Sequence, residues 1–327
     1  MGPRPKLCIE QCLHLPPFQS AIVRRAWRRS GRPLLTKGQQ WVERQRYRHL
    51  FAALEGPDQA GVLIQGALRG AQPFCAARMG HVEARLLGEW QLCGGRWSRA
   101  TRLEAHANAG VFPVSHEGLR AFAQTYQQAL QHVDLLGFWQ SEHQAALVSQ
   151  LSVSPALCQL SALEPFRQSQ PWSEALEGRS VLVVHPFAES IQAQYRRHGS
   201  GLFADARVLP PFDLQVCRPP LTHAPMTEGF CSWSDALQNL QDRVLGMSFD
   251  VALLGCGAYG LPLAAALRRE GRQVIHLGGA LQLLFGIRGR RWDDDPQIQR
   301  LITSDWIRPS AAETPHAAAG IEGGCYW

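Results

Sequence analysis

Phe249 to Gly279, FDVALLGCGAYGLPLAAALRREGRQVIHLGG, decides the fold. Phe249 to Leu254 is a short apolar run that reads as a strand buried on both faces. Gly255, Gly257 and Gly260 then form G-x-G-x-x-G where a helix should open, and backbone amides at a helix N-terminus attract an anion such as a diphosphate. Pro262 sits harmlessly near the start of that helix, Gly271 ends it, and Gln273 to Leu277 make the next strand. A tight turn that merely permits close helix packing explains the same glycines without any ligand.

A dinucleotide site places an Asp or Glu about twenty residues after the glycines, at the end of the second strand, to hold the ribose hydroxyls. Here that strand ends in His276, Leu277, Gly278 and Gly279, and little chain remains for a second mononucleotide half. A nucleotide or nucleotide-sugar site fits these residues better than NAD. An NAD(P)-dependent oxidoreductase and a non-catalytic nucleotide-binding protein stay open as alternatives.

Outward from this unit the chain alternates strands and helices. Phe74 to Arg78, Val133 to Phe138, Ser180 to Val184 and Leu214 to Cys217 read as strands. Val82 to Leu92, the segment opened by Ser115 and Gly118, Ala188 to Arg197 and Trp233 to Leu245 read as helices. Leu163 to Pro171 is a linker or crossing loop. The pattern predicts an α/β fold, a Rossmann-like, mostly parallel sheet with helices on both faces, in two halves (35–170 and 171–327) behind a basic arm (1–34). Ligands of such sheets bind beyond the carboxyl ends of the strands, which nominates 78–83, 137–142, 185–189, 255–260 and 276–279 as one surface.

The first fifty of the 327 residues hold eleven Lys and Arg against two Glu, leaving 22 basic against 25 acidic residues in the remainder. Arg24, Arg25, Arg28, Arg29 and Arg32 flank Trp27, a mix suited to an anionic surface, and a solvated arm is the bland alternative. A peripheral contact with a membrane surface is the expectation, and no nucleic-acid partner is. No apolar run is long enough to span a membrane and no signal-peptide core precedes the arm, so a cytoplasmic protein is expected. Nine scattered cysteines without C-x-x-C spacing indicate neither a disulfide framework nor a zinc site.

FCAARMGHVEARLL (74–87) resembles the R-x-G-D-x-E segment of glycosyltransferases with the GT-D fold. NAGVFP with the helix after it and VDLLGFW, together with LLGCGAYGLPLAAALRREGRQVIHLGG, are similar to two further blocks of that family. Residues 180–220 and the ending IEGGCYW look more like a subgroup of uncharacterised proteins associated with bacterial polysaccharide biosynthesis. The resemblance implies transfer of a sugar from a nucleotide-diphosphate donor to a glycan or lipid-linked acceptor. It carries over Arg78, Gly80 and Glu83, with His81 standing where the family has Asp. In the family that acidic pair contributes to metal and diphosphate binding, so His81 and Glu83 are the candidate ligands of Mn²⁺ or Mg²⁺. An imidazole suits Mn²⁺ better than hard Mg²⁺, which puts metal dependence in question.

Arg78, Gly80, Gly255, Gly257, Tyr259, Gly260, His276, Gly278 and Gly279 are the candidate donor-binding residues, joined by Arg288 from the glycine-flanked cluster Arg288, Arg290 and Arg291. Glu83, His185 and Glu189 are the candidate catalytic groups, the last two spaced to face one another and deprotonate an acceptor hydroxyl. A capping Glu189 and a packed His185 are the plainer reading of that pair. Asp293, Asp294 and Asp295 before Pro296 read as a solvated helix cap rather than a metal cluster. The two aromatics of the last residues, Tyr326 and Trp327, predict a C-terminus docked on the body and covering the site.

Overall fold

The computed structural model describes residues 46–327 apart from Cys93, Gln140 and Ser141. The basic arm (1–34) lies outside the described residues, as do residues 35–45. Seven strands, β1 (Phe74–Arg78), β2 (Leu135–Phe138), β3 (Ala156–Gln159), β4 (Ser180–Val184), β5 (Asp213–Cys217), β6 (Val251–Leu254) and β7 (Gln273–His276), form one sheet in the order β3-β2-β1-β7-β6-β4-β5. All pairings are parallel, so this is the α/β sheet the alternation predicts, and the strands of the two halves meet where β1 pairs with β7. Successive residues face opposite layers: Leu182, Val184, Ala252 and Leu254 enter one core, and Val181, Val183, Val251 and Leu253 the other.

Eight helices matter to the site: α1 (Pro57–Arg69), α2 (His81–Leu92), α3 (Arg99–Ala109), α4 (His116–Leu130), α5 (Glu142–Val148), α6 (Ala188–His198), α7 (Trp233–Leu245) and α8 (Gly260–Arg269). Serine caps start three of them, with Ser98, Ser115 and Ser232 accepting from the amides of Thr101, Gly118 and Asp235. Apolar residues of α2, α3, α4, α5, α7 and α8 fill the first core, and those of α1 and α6 the second. Neither α3 nor β3 is legible in the sequence. RATRLEAHANA lacks an apolar stripe and is held by its cap and a left-handed Gly110 (φ 66°), and β3 is a four-residue edge strand. No described helix is long and apolar enough to cross a membrane.

The connection over 163–171 does cross between the halves, yet it is packed rather than solvated. Leu163 and Phe166 are in the second core, Trp172 Nε1 donates to the Leu163 carbonyl (3.0 Å), and Gln168 bonds both Ala162 O and the Trp172 amide. At the far end of the sheet Arg268 of α8 grips Asp134 through two bonds of 2.6 Å, and Asp134 also accepts the Cys75 amide. This fork fixes α8 against β1 and β2, and with it the glycine turn at the helix's other end.

Gly260 gives the glycine pattern a packing role. A Cβ there would fall on the imidazole of His276. Gly260→Ala is therefore expected to destabilise the fold by about 1–3 kcal/mol through overpacking, read as a lower urea midpoint at unchanged slope. An unchanged midpoint would mean that α8 can retreat from β7.

Candidate functional site

Loops leave neighbouring strands toward opposite faces at the centre of this sheet, which opens a crevice at their carboxyl ends. After β1 and β6 the chain enters α2 and α8 on the first face, and after β7 and β4 it turns to the second face, where Leu277, Leu281 and Ile191 pack. A cavity of about 120 Å³ lies in this crevice, lined by Arg78, Gly80, Glu83, His185, Gly255, Gly257, His276, Gly278 and Gly279. Nine sequence-nominated residues from four strand ends thus converge. A second cavity of about 170 Å³ adjoins it, and Arg78, Gly279 and Tyr326 belong to the walls of both.

Arg78 ends β1 at this shared wall. Its guanidinium donates to the Leu277 carbonyl (3.2 Å) and stands 5.2 Å over the Trp139 ring. Among the described residues no carboxylate lies within ion-pair distance of it, and burial lowers its pKa. A guanidinium so placed without a counter-ion is an anion receptor in waiting. Gly278, left-handed at φ 65°, brings its backbone against this side chain, and a Cβ there would lie 3.0 Å from Arg78 Cδ.

Glu83 opens the first turn of α2 and is 7% exposed. Its carboxyl folds back over Gly80, where a Cβ would collide with it. Burial pushes this carboxyl up to about 7, with the charge of Glu322 adding to the rise and its own backbone hydrogen bond and Arg78 opposing it. It is poised to exchange a proton near neutral pH.

The two histidines have complementary tautomers. His185 Nδ1 accepts the Phe187 amide (3.0 Å), so its proton sits on Nε2, and burial holds the ring neutral with a pKa near 3. His276 Nδ1 faces the Leu254 carbonyl (3.1 Å) and must donate to it, which leaves Nε2 as an acceptor, and burial lowers that pKa to about 4. His185 is thus a hydrogen-bond donor at Nε2, which does not suit the general-base role expected of it, whereas the Glu83 carboxyl titrates in the neutral range. Two buried atoms of residues on the same lining, His223 Nδ1 and Gln282 Oε1, have no hydrogen-bond partner among the described residues.

Five nominated residues lie outside the lining: Gly260, packed against the His276 ring, and four placed elsewhere. Glu189 is exposed and does not face His185; the α6 N-terminus is capped instead by Glu313, which accepts the Glu189 and Ser190 amides (2.9 and 3.2 Å). Tyr259 turns into the core, stacked on Trp233 at 5.6 Å and bonded to Thr222. Arg288 lies against Asp293 at 3.8 Å, outside both cavities. His81 is exposed and outside the lining to which Glu83 belongs, so the two do not form the pair of ligands the motif suggests. Among the described residues no group of three His, Cys, Asp or Glu side chains is placed to hold a metal ion. Asp295 caps Gln297 and Ile298 and pairs with Arg167, as a solvated cap should.

The last residues dock over the crevice as their aromatics predict. Tyr326 lies against Gly279, and the Trp327 ring meets Phe187 at 5.8 Å. Two of the three clustered arginines, although exposed, hold this tail: Arg291 donates to Glu322 (3.0 Å) and to the Tyr326 hydroxyl (2.9 Å), and Arg290 to the Gly323 and Gly324 carbonyls. Trp139 and Glu164 line the second cavity without having been nominated from the sequence, and Arg291 lines it in place of its clustered neighbour Arg288. Trp139 lies in the nominated strand-end stretch 137–142 and Arg291 in the glycine-flanked arginine cluster, whereas Glu164 carried no signal.

No family model matches the chain, and no curated protein matches it. Two solved structures are similar to it in fold. One is a selenomethionine-substituted structure of domain of unknown function 1792, at 15% identity and a TM-score of 0.41. The other is described by the statement that this highly conserved domain has a distinct glycosyltransferase fold, at 14% identity and a TM-score of 0.41. Each match covers 73% of this chain and 82% of the other. Likeness at this level carries no functional argument.

Proposed function

We propose that the protein is a glycosyltransferase that moves a sugar from a nucleotide-diphosphate donor to a hydroxyl acceptor. The observation that carries this reading is the guanidinium of Arg78, without an ion pair among the described residues, at the wall shared by two cavities, beside a buried carboxyl that titrates near 7. In the step proposed, the acceptor oxygen bonds to the anomeric carbon as the bond from that carbon to the diphosphate oxygen breaks. Glu83 takes the acceptor's proton, and Arg78 receives the charge that grows on the leaving diphosphate. His185 Nε2–H and the His276 Nε2 acceptor are available to orient the sugar's hydroxyls.

The donor set of this crevice does not fit a divalent metal held by His81 and Glu83, so no step is routed through one. The polysaccharide context, the glycan or lipid-linked acceptor and attachment to a membrane surface through residues 1–34 belong to the proposal on the strength of the sequence resemblance and the basic arm alone.

Thermal-shift titration tests the ligand class. UDP or GDP at a hundredfold excess over its Kd is expected to stabilise the protein by about 2.7 kcal/mol, with or without a chelator, while NAD leaves the melting temperature unchanged. Stabilisation by NAD alone would overturn the reading in favour of an oxidoreductase.

A further inference from the structure

The second cavity has a chemistry distinct from the first. Its walls carry three aromatic side chains, Trp139, Trp292 and Tyr326, and two guanidiniums, Arg78 and Arg291, with the Glu164 carboxyl. At about 170 Å³ it matches one planar ring, since a cavity of roughly 150 Å³ takes up benzene. Trp139 offers its ring to this lining, and its Nε1, buried, has no hydrogen-bond partner among the described residues. The Glu164 side chain is 9% exposed and its Oε2 is held by Arg167 Nε at 2.5 Å, which leaves Oε1 to accept from a ligand. The first cavity, by contrast, gathers Glu83, Glu322, His185, His223 and His276, the groups suited to hydroxyls and proton transfer.

We infer that the second cavity is the nucleobase site of the donor. Resting on the donor reading above, this assigns the nucleotide a direction. The base stacks among Trp139, Trp292 and Tyr326 with its polar edge toward Glu164, the diphosphate crosses the wall at Arg78, and the sugar enters the first cavity beside Glu83. Aromatic and guanidinium faces favour a flat π-system over a puckered sugar ring. The orientation also puts the anomeric carbon on the side of the carboxyl that must take the acceptor's proton. The reverse orientation would leave Glu83 facing the nucleoside.

Calorimetric affinities for inorganic pyrophosphate and for UDP, GDP, ADP and CDP test this on the full chain. In the wild type at least one nucleoside diphosphate is expected to bind about tenfold or more tighter than pyrophosphate, the scale of one stacked base. In Trp139→Leu and Glu164→Gln that ratio should collapse toward one, and taking a ratio cancels any general weakening at Arg78. Tryptophan fluorescence supplies a second readout, quenched by the preferred nucleotide, not by pyrophosphate, and less so in Trp139→Leu. Equal affinities in the wild type, or a ratio that survives both variants, would overturn the nucleobase site while leaving the anion site standing. A nucleotide sugar whose advantage over its diphosphate is erased by the variants, with the base ratio intact, would reassign the cavity to the sugar. Binding of neither pyrophosphate nor any nucleotide would bring down the donor reading together with this one.

Discussion

Glu83→Gln is expected to stabilise the protein at pH 8 while slowing the proposed transfer. The Glu83 carboxyl titrates at about 7 in the folded chain against an ordinary value of 4.5. Its protonated form is therefore favoured by folding. Between those two values the native state holds a proton that the unfolded chain has lost, so stability falls as the pH rises through the window, by about 1.4 kcal/mol per unit. Below the lower value the penalty is absent, and above the upper it is complete, on the order of 3 kcal/mol. Glutamine keeps the shape and carries no charge to bury. Denaturation midpoints of the two proteins should coincide near pH 4 and separate steadily to pH 8, with the variant the more stable. Removal of the proton acceptor should slow transfer by about 10²–10⁴-fold and flatten a rate that in the wild type climbs through pH 7. A stability difference that does not change with pH would show that Glu83 ionises in water rather than in the crevice.

The sequence made the site's floor legible and hid its far wall, for reasons of chain geometry. Arg78, Gly80 and Glu83 occupy one strand-to-helix turn, and Gly255 to Gly279 one strand, helix and strand, so short local patterns encode both. That those two pieces adjoin follows from the parallel pairing of β1 with β7. The far wall is assembled from four separate segments that share no local pattern. Glu164 comes shortly after an edge strand too short to show alternation, as the extended residue between two short helical turns packed by Phe166 and Trp172. Among the three arginines, backbone geometry makes the choice. Arg288 donates its amide to the Ile307 carbonyl (2.7 Å), and its side chain goes to Asp293. The helical turn Arg290–Trp292 then swings Arg291 inward, a difference that residue type alone cannot express. Glu189 shows the same limit. The charge expected at the start of α6 is present there, but Glu313, 124 positions away, supplies it.

Arg78→Met should remove anion binding and leave the fold intact. A structural ion pair at this position would predict the opposite, because removing one partner of a buried pair strands the other charge and costs about 3–5 kcal/mol. Here no described carboxylate is stranded, and the loss is one bond to the Leu277 carbonyl and the face of Trp139, about 1–2 kcal/mol. Part of that is returned by no longer holding an uncompensated charge out of water. Pyrophosphate and nucleoside diphosphates, by contrast, lose a two-pronged charge-assisted contact, about 3 kcal/mol or roughly a hundredfold in Kd. Arg78→Lys keeps the charge without the planar fork, so it should recover part of the affinity and none of the bidentate geometry. Calorimetry at two salt concentrations, with a urea melt of each variant, separates these effects. Arg78→Met binding pyrophosphate as tightly as the wild type would move the anion site to the glycine turn at Gly257, and unfolding of that variant would make Arg78 a structural residue.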